Sequence, residues 1–167
     1  VIQNTIDMVK ENHGIDVEFD QEMSDPKVYK LWQDGNTSGI FQFESQGMTN
    51  FMKELKPDCL EDLIAGVSLY RPGPMDQIPR YIRGKQNPGH NEYTHPSLEP
   101  ILNVTYGCMV YQEQVMQIVR DLAGYSLGRA DLVRRAMGKK KLDVMAKERE
   151  VFIHGQVDEN GNVEVPG

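Results

Sequence analysis

The sequence lacks the patterns that mark membrane proteins and the common nucleotide-binding loops. No apolar run approaches the ~20 residues that a membrane-spanning helix needs. There is no signal-peptide pattern, no glycine-rich loop followed by lysine and serine or threonine, and no dinucleotide-binding fingerprint. We therefore expect a cytoplasmic protein that has no membrane partner and uses neither of these phosphate-binding loops.

Cysteine and histidine are also scarce. The two cysteines, Cys59 and Cys108, each stand in an apolar context, and none of the four histidines lies with cysteines or acids at the spacing of a metal site. We predict no bound metal in this chain. Two buried thiols in a reducing cytoplasm are the expected state of the cysteines, with a disulfide as the open alternative.

Acids are numerous, but no pair of them is arranged for catalysis. The chain has no Asp-x-Asp pair to hold magnesium for phosphoryl transfer, and the spacing shows no set of nucleophile, histidine and acid. Glu44 and Glu113 lie beside apolar patches, where we expect buried ion pairs rather than general acids or bases. No catalytic residue is therefore predicted in this chain.

What the sequence does contain is helical periodicity. Apolar residues recur at spacings of three and four between caps, prolines and glycines, which predicts a mainly α fold of about six or more helices with little sheet. The first predicted helix is Val1–His13, followed by an extended segment at Ile15–Phe19. Breaks or loops are predicted at Tyr70–Pro74 and Gly84–His95, and turn residues after Val157 predict a hairpin-like tail.

Positive charge is concentrated in one segment, Ser126–Lys141. This basic segment holds six of the eighteen lysines and arginines and one acid, although the whole chain has a net charge of −7. In an acidic protein, such a concentration indicates an anionic partner at this segment.

A helix is predicted within the basic segment. Ser126 is a suitable N-cap, and Gly138 is expected to be the left-handed residue that ends the helix. The helical period separates an apolar face from a charged face on the opposite side. The apolar face comprises Leu132, Val133, Ala136 and Met137, and the charged face comprises Asp131, Arg134 and Arg135.

Charge alone supports two interpretations of this helix equally. Guanidinium groups suit phosphate oxygens, and adjacent lysines add point charges, so the helix could bind a phosphate-bearing ligand. Alternatively, the residues form a solvated face on which Asp131 pairs with Arg135 across one turn, while the lysines interact with the helix dipole.

Several longer motifs occur in order along the chain and resemble those of one family. They are Gly39–Ser45, Leu69–Met75, Thr105–Gly107, Val110–Met116, Leu122–Gly128 and Ala130–Lys141. Together they resemble the bacterial family C replicative DNA polymerases, the DNA polymerase III alpha subunits, in the branch without an inserted proofreading exonuclease. The resemblance covers nearly the whole stretch from Gly39 to Gly155.

This resemblance implies that the chain is part of the fingers domain, a mostly helical region next to the catalytic palm. Residues 1–14 are then the helix that follows the palm, residues 15–155 the fingers, and residues 156–167 a hairpin-like tail cut before the rest of the fingers. We expect an excised piece that is inactive alone. The aspartates that bind the cofactor Mg²⁺ are expected in the palm, upstream of Val1.

The resemblance also implies a site. In the family, the paired arginines of the last motif face the triphosphate of the incoming nucleotide. This assigns triphosphate binding to Arg134 and Arg135, with Lys139 and Lys140 as further candidates. The implied partners are a deoxynucleoside triphosphate (dNTP), primer–template DNA and the other subunits of a replicative holoenzyme.

Two residues outside the paired arginines, Arg71 and Tyr125, are possible pocket or template contacts. A structural role for the arginine and packing for the tyrosine are the alternatives. Arg129 stands where many members of the family have a small residue, which we attribute to a difference between branches.

Two other classes of function stay open. A stand-alone helical module could bind nucleic acid through the same basic helix, or an acidic helical scaffold could use that helix to contact a protein. Of the three hypotheses, only the polymerase predicts triphosphate contacts at Arg134 and Arg135.

Overall fold

The computed structural model describes residues 2–17 and 23–167, which form a mainly α structure. The helices are α1 (Ile2–His13), α2 (Pro26–Asp34), α3 (Gln46–Leu55), α4 (Leu60–Leu69), α5 (Ile78–Gln86), α6 (Glu99–Leu102), α7 (Gln112–Ala123), α8 (Leu127–Gly138) and α9 (Leu142–His154). The strands are β1 (Gln156–Val157) and β2 (Val163–Val165), and short 3-10 turns cover Pro74–Gln77, Pro96–Leu98 and Asn103–Thr105. The predicted fold class, mainly α with little sheet, is confirmed.

The contacts within the chain divide it into two compact units, Val1–Leu63 and Ile64–Gly167. In the first unit, α2 and α3 pack through large side chains. The Trp32 ring meets Phe43 edge-on with a centroid distance of 5.6 Å, a geometry that adds to the stabilisation from burial. Phe51 and Met52 of α3 are buried in the same unit.

In the second unit, α7, α8 and α9 share a hydrophobic core with the β1–β2 hairpin. Its buried members are Val119, Ala123, Tyr125, Ala130, Val133 and Val165. The small side chains of Ala123 and Ala130, which are 1% and 0% exposed, leave α7 and α8 closely packed. The hairpin expected after Val157 is confirmed: Val157 pairs with Val163 and Gln156 pairs with Val165 in an antiparallel ladder.

A buried amide fixes the start of α7. Gln114 is 5% exposed, and its Oε1 accepts from the backbone amides of Val110 and Tyr111, both at 2.9 Å. Its Nε2 donates to the Ile101 carbonyl at 3.2 Å and to the Thr105 hydroxyl at 2.8 Å. Because both ends of this buried amide are hydrogen-bonded, the first turn of α7 is firmly held.

Several expectations away from the basic segment need correction. Glu44 and Glu113 are exposed rather than buried in ion pairs, and the Glu44 carboxylate accepts the Gly39 amide at 3.1 Å. The loop predicted from Gly84 begins later because α5 runs to Gln86. Apolar neighbours in sequence do not fix whether a side chain faces the core, and a glycine does not by itself end a helix.

Other local predictions hold. The predicted break at Tyr70–Pro74 is confirmed, since α4 ends at Leu69 and the next turn begins at Pro74. The predicted first helix is confirmed as α1 over the described residues. The extended segment Ile15–Phe19 lies partly outside the described residues.

Both cysteines are thiols, as expected. The predicted burial is confirmed for Cys108, which is fully buried, and is wrong for Cys59, which is only half-buried. Burial raises the pKa of the Cys108 thiol, and the positive charges of Arg80 and Arg83 oppose that shift.

Candidate functional site

The basic segment forms α8, whose first turn is capped as expected. The Ser126 hydroxyl accepts the Arg129 backbone amide at 3.3 Å, which satisfies one of the free donors of the first turn. The N-cap prediction is therefore confirmed.

The end of α8 differs from the prediction. Gly138 is the last helical residue and is not left-handed; Lys140 has that conformation, with φ +52°. The Lys141 amide donates to the Ala136 carbonyl and the Lys140 amide to the Met137 carbonyl, both at 3.0 Å. This is the Schellman arrangement, in which a lysine occupies the position that glycine usually takes.

The packed face of α8 is also rotated from the predicted apolar face. Val133 and Ala136 are buried, but Leu132 is 62% exposed, so its assignment to the core was wrong. Fully buried Ala130 takes its place, because a small side chain lets α8 approach its neighbours. Met137 borders an apolar cavity of about 360 Å³ between α7, α8 and α9.

Arg134 is held by two elements. Its Nε and Nη2 donate to Asp131 Oδ1 at 2.9 and 2.7 Å, and its Nη1 donates to Gln112 Oε1, at the start of α7, at 2.8 Å. The Arg134 side chain is 28% exposed. Side chains of the protein itself therefore fix the orientation of the guanidinium.

Arg135 contacts the same carboxylate from the other side. Its Nε lies 2.7 Å from Asp131 Oδ2, and its side chain is 62% exposed. The i,i+4 pair expected of a solvated face is thus present, and the pair with Arg134 is an addition that spacing did not reveal. The hydrogen bond from Arg134, helped by both guanidinium charges, lowers the pKa of Asp131. One ionised carboxylate faces two permanent cations, so a positive charge remains.

Lys139 and Lys140 follow at the exposed end of α8. Their backbone amides close the helix by donating to the carbonyls of Arg135 and Met137 at 3.0 Å. The structure therefore places the four predicted triphosphate contacts within one continuous stretch, from the last turn of α8 to its cap.

Arg129, although it belongs to the same basic segment, is directed inward. Its Nε and Nη2 each lie 3.3 Å from an oxygen of Glu148 on α9, and Nη2 also donates to Gln156 Oε1 at 2.7 Å. Its Cζ lies 5.2 Å from the centroid of the Tyr125 ring. Sequence reasoning missed this role, because its partners lie 19 and 27 positions further along the chain.

Tyr125 is 4% exposed, so its ring lies in the core rather than on the surface. Its hydroxyl lies 3.0 Å from Glu148 Oε2 and 3.1 Å from the Glu148 carbonyl. Burial, followed by the hydrogen bond to Glu148, raises the pKa of Tyr125 to about 12. These contacts support the packing alternative over stacking on a template base.

Arg71 lies on the surface just after α4. Its Nε donates to the Ser68 carbonyl at 3.1 Å, which satisfies an acceptor at the end of that helix. This contact is the one expected of a structural arginine.

One group of side chains in the described residues has the spacing of possible metal ligands. The ligand atoms of Asp58, Cys59 and Asp62 lie within 4.8 Å of one another. Asp62 Oδ2 accepts the Asp58 backbone amide at 3.0 Å, so this carboxylate already stabilises the start of α4. We assign no metal site to this group.

Comparison with known proteins identifies the class of domain that this helical structure represents. Residues 1–160 match the family described as the bacterial DNA polymerase III alpha subunit finger domain. The chain belongs to that family. Within residues 2–17 and 23–167, no helix is long and apolar enough to cross a membrane.

Individual relatives agree with this assignment. The DNA polymerase III subunit alpha of Thermus aquaticus is 53% identical over 154 residues, which is 89% of this chain and 13% of that protein. The subunit alpha of Aquifex aeolicus (strain VF5) is 48% identical over 155 residues, 91% of this chain and 13% of that protein. The subunit alpha of Staphylococcus aureus (strain COL) is 47% identical over 156 residues, which is 93% of this chain and 15% of that protein. The chain thus spans 13 to 15% of the length of these relatives.

Proposed function

We propose that this chain binds the triphosphate of the incoming dNTP within a bacterial replicative DNA polymerase, a cytoplasmic DNA-directed nucleotidyltransferase. Arg134 and Arg135 are the principal contacts, and Lys139 and Lys140 add positive charge beside them. Primer–template DNA and the other holoenzyme subunits are the partners of the whole protein.

The observation that carries this proposal is the state of the two arginines. Asp131 neutralises only one of the two guanidinium charges, because a single carboxylate serves both. Arg134 uses three of its five guanidinium N–H groups, two toward Asp131 and one toward Gln112. The other two N–H groups can donate to a further acceptor. A solvated face accounts for the pair between Asp131 and Arg135 but not for the bond from Arg134 to Gln112 on another helix. A polyanionic ligand gains from donors that are fixed in this way.

The chemical role of these residues is electrostatic. As the primer hydroxyl attacks the α-phosphate, negative charge develops on the leaving pyrophosphate. The arginines neutralise that charge and hold the β- and γ-phosphates in line, so they position the substrate and transfer no proton.

Mg²⁺ is expected to bind elsewhere in the polymerase. Beside the arginines, both oxygens of Asp131 already accept from guanidinium groups, so this carboxylate does not suit a metal ion. The metal-binding carboxylates of the family palm remain a prediction from the resemblance.

The test is single-turnover nucleotide incorporation by the full-length polymerase. Arg134→Ala or Arg135→Ala should lower incorporation efficiency about a hundred-fold, because each removes a charge-assisted contact worth a few kcal/mol. Primer–template affinity should change little. Arg149→Ala removes another exposed arginine that is paired with an acid and is the matched control.

The two alternative functions make different predictions for the same variants. A stand-alone nucleic-acid-binding module loses DNA affinity in Arg134→Ala while its response to triphosphate is unchanged. A protein-binding scaffold loses neither. Normal incorporation combined with reduced thermal stability in both variants would show that the arginines are structural.

A further inference from the structure

We propose that Gln112 and Asp131 are positioning residues that hold the Arg134 guanidinium ready for the triphosphate, and that α7 transmits this order from a buried amide. This inference rests on the proposed function of Arg134. It adds two residues that act through Arg134 rather than by touching the nucleotide.

Three nitrogens of Arg134 are hydrogen-bonded within the protein. Asp131 accepts from Nε and Nη2, and Gln112 accepts from Nη1, so acceptors on two helices hold different nitrogens of one planar group. A long arginine side chain normally loses much rotamer freedom when it binds a ligand. Here that freedom is already restricted, so less is lost on binding.

The position of Gln112 is itself fixed by the start of α7. Gln112 is the first residue of α7, and the preceding backbone amides of Val110 and Tyr111 donate to the buried side chain of Gln114. Gln114 is in turn anchored on Thr105, whose hydroxyl also donates to the Cys108 carbonyl at 2.6 Å. Hydrogen bonds from the buried side chain of Gln114 therefore fix the backbone immediately before Gln112, and the Gln112 side chain in turn contacts Arg134.

Removal of Asp131 could change triphosphate affinity in either direction. If Asp131 only neutralised the arginines, its removal would strengthen triphosphate binding by restoring a full positive charge. If it positions Arg134, its removal weakens binding even though the local charge becomes more positive. The two roles thus give opposite results in one variant.

The decisive experiment measures kcat and KM for dNTP in the full-length polymerase with Gln112 changed to Met. Gln112→Met keeps the length of the side chain and removes the acceptor oxygen without adding a charge. We expect the KM for dNTP to rise about three- to ten-fold in Gln112→Met, the range expected for the loss of one such hydrogen bond. Gln117→Met changes an exposed glutamine of the same helix and should leave KM unaltered.

Asp131→Ala and Asp131→Asn complete the test. We expect Asp131→Ala to raise the KM for dNTP at least as much as Gln112→Met does, and Asp131→Asn, which keeps an acceptor oxygen, to raise it less. Primer–template affinity and melting temperature should stay near those of the unmodified polymerase in Gln112→Met, since a merely structural role would move those quantities instead.

The outcomes separate the two proposals. Positioning is overturned if Gln112→Met has a normal KM or if Asp131→Ala binds dNTP more tightly, while Arg134→Ala remains strongly defective. If Arg134→Ala itself incorporates nucleotide normally, the proposed triphosphate role has failed, and the positioning role fails with it.

Discussion

Arg129 and Arg134, near the two ends of α8, make the same kinds of contact in different surroundings. At the beginning, Arg129 contacts a carboxylate and an amide on other elements, and its side chain is 21% exposed. Near the end, Arg134 likewise contacts a carboxylate and an amide, and its side chain is 28% exposed. The difference lies in the surroundings, since Arg129 covers the Tyr125 ring and reaches two acids, whereas Arg134 shares one acid with Arg135.

In this comparison the contacts of each arginine, rather than its charge, distinguish the structural role of Arg129 from the ligand-binding role that we propose for Arg134. Glu148 and Glu164 surround Arg129 with more negative charge than it carries. Around Arg134 and Arg135 the balance is reversed, because Asp131 is shared between two cations. The later half of α8 therefore keeps the net positive charge that the proposed triphosphate ligand requires.

The variant Arg129→Ala is the strongest test of the structural role of Arg129. Arg129→Ala should weaken the attachment of α9 and the hairpin to α8 by about 2 kcal/mol, since hydrogen bonds to charged groups contribute roughly 1.5–3 kcal/mol and these partners are mostly shielded from water. Amide hydrogen exchange in α9 of the full-length protein should become about 30-fold faster.

Nucleotide kinetics provide the contrast for that variant. At a temperature where Arg129→Ala stays folded, its KM for dNTP should match that of the unmodified protein. A large rise in KM without faster exchange in α9 would place Arg129 in the nucleotide site and remove the distinction between the two ends.

Two glycines, one before α8 and one at its last position, offer a second test with effects of opposite sign. Gly138 is helical, and a Cβ added there has open space around it, so Gly138→Ala should stabilise the fold by about 0.4–1 kcal/mol. Gly124 has φ +71°, and a Cβ there would lie 2.7 Å from Pro166 Cδ, so Gly124→Ala should destabilise it by more than that.

Thermal or denaturant unfolding of the two glycine variants measures these changes. Lys140→Gly should also stabilise the fold, because glycine adopts the left-handed conformation of Lys140 without strain. If Gly138→Ala destabilises the protein and Lys140→Gly has no effect, the structural account of the end of α8 is wrong.

The smallest effect is expected from pH. The pKa of Asp131 is lowered in the folded state, so the contribution of its ion pairs is fully present above the unfolded value of about 3.9 and is lost only as pH falls through the folded pKa. The KM for dNTP should therefore show no step attributable to Asp131 between about pH 5 and 8. An inflection in that range that is missing from Asp131→Asn contradicts this.

Local features of the site could be predicted from sequence because their partners are near in the chain. The Ser126 cap and the Asp131–Arg135 pair depend on spacings of three and four residues, which the helix geometry fixes. The mainly α class and the hairpin followed from periodicity and turn residues in the same way.

Tertiary partners could not be predicted in this manner. Gln112 and Arg134 are 22 positions apart, and their contact exists only because α7 and α8 pack closely through small side chains. The position of Lys140 in the left-handed region also escaped prediction, because Gly138 was the residue with the better intrinsic preference. Packing thus brings Gln112 to Arg134, whereas the backbone hydrogen bonds that close α8 place Lys140 in the left-handed region.

The most direct test of the central claim compares a triphosphate with a monophosphate. The affinities of the full-length polymerase–primer–template complex for a dNTP and for the corresponding dNMP should be measured for the unmodified protein, Arg134→Ala and Arg129→Ala. We expect Arg134→Ala to lose about ten- to a hundred-fold in dNTP affinity and little in dNMP affinity, while Arg129→Ala keeps both. Equal losses for dNTP and dNMP in Arg134→Ala, or no loss for either, would contradict the assignment of α8 as the triphosphate site.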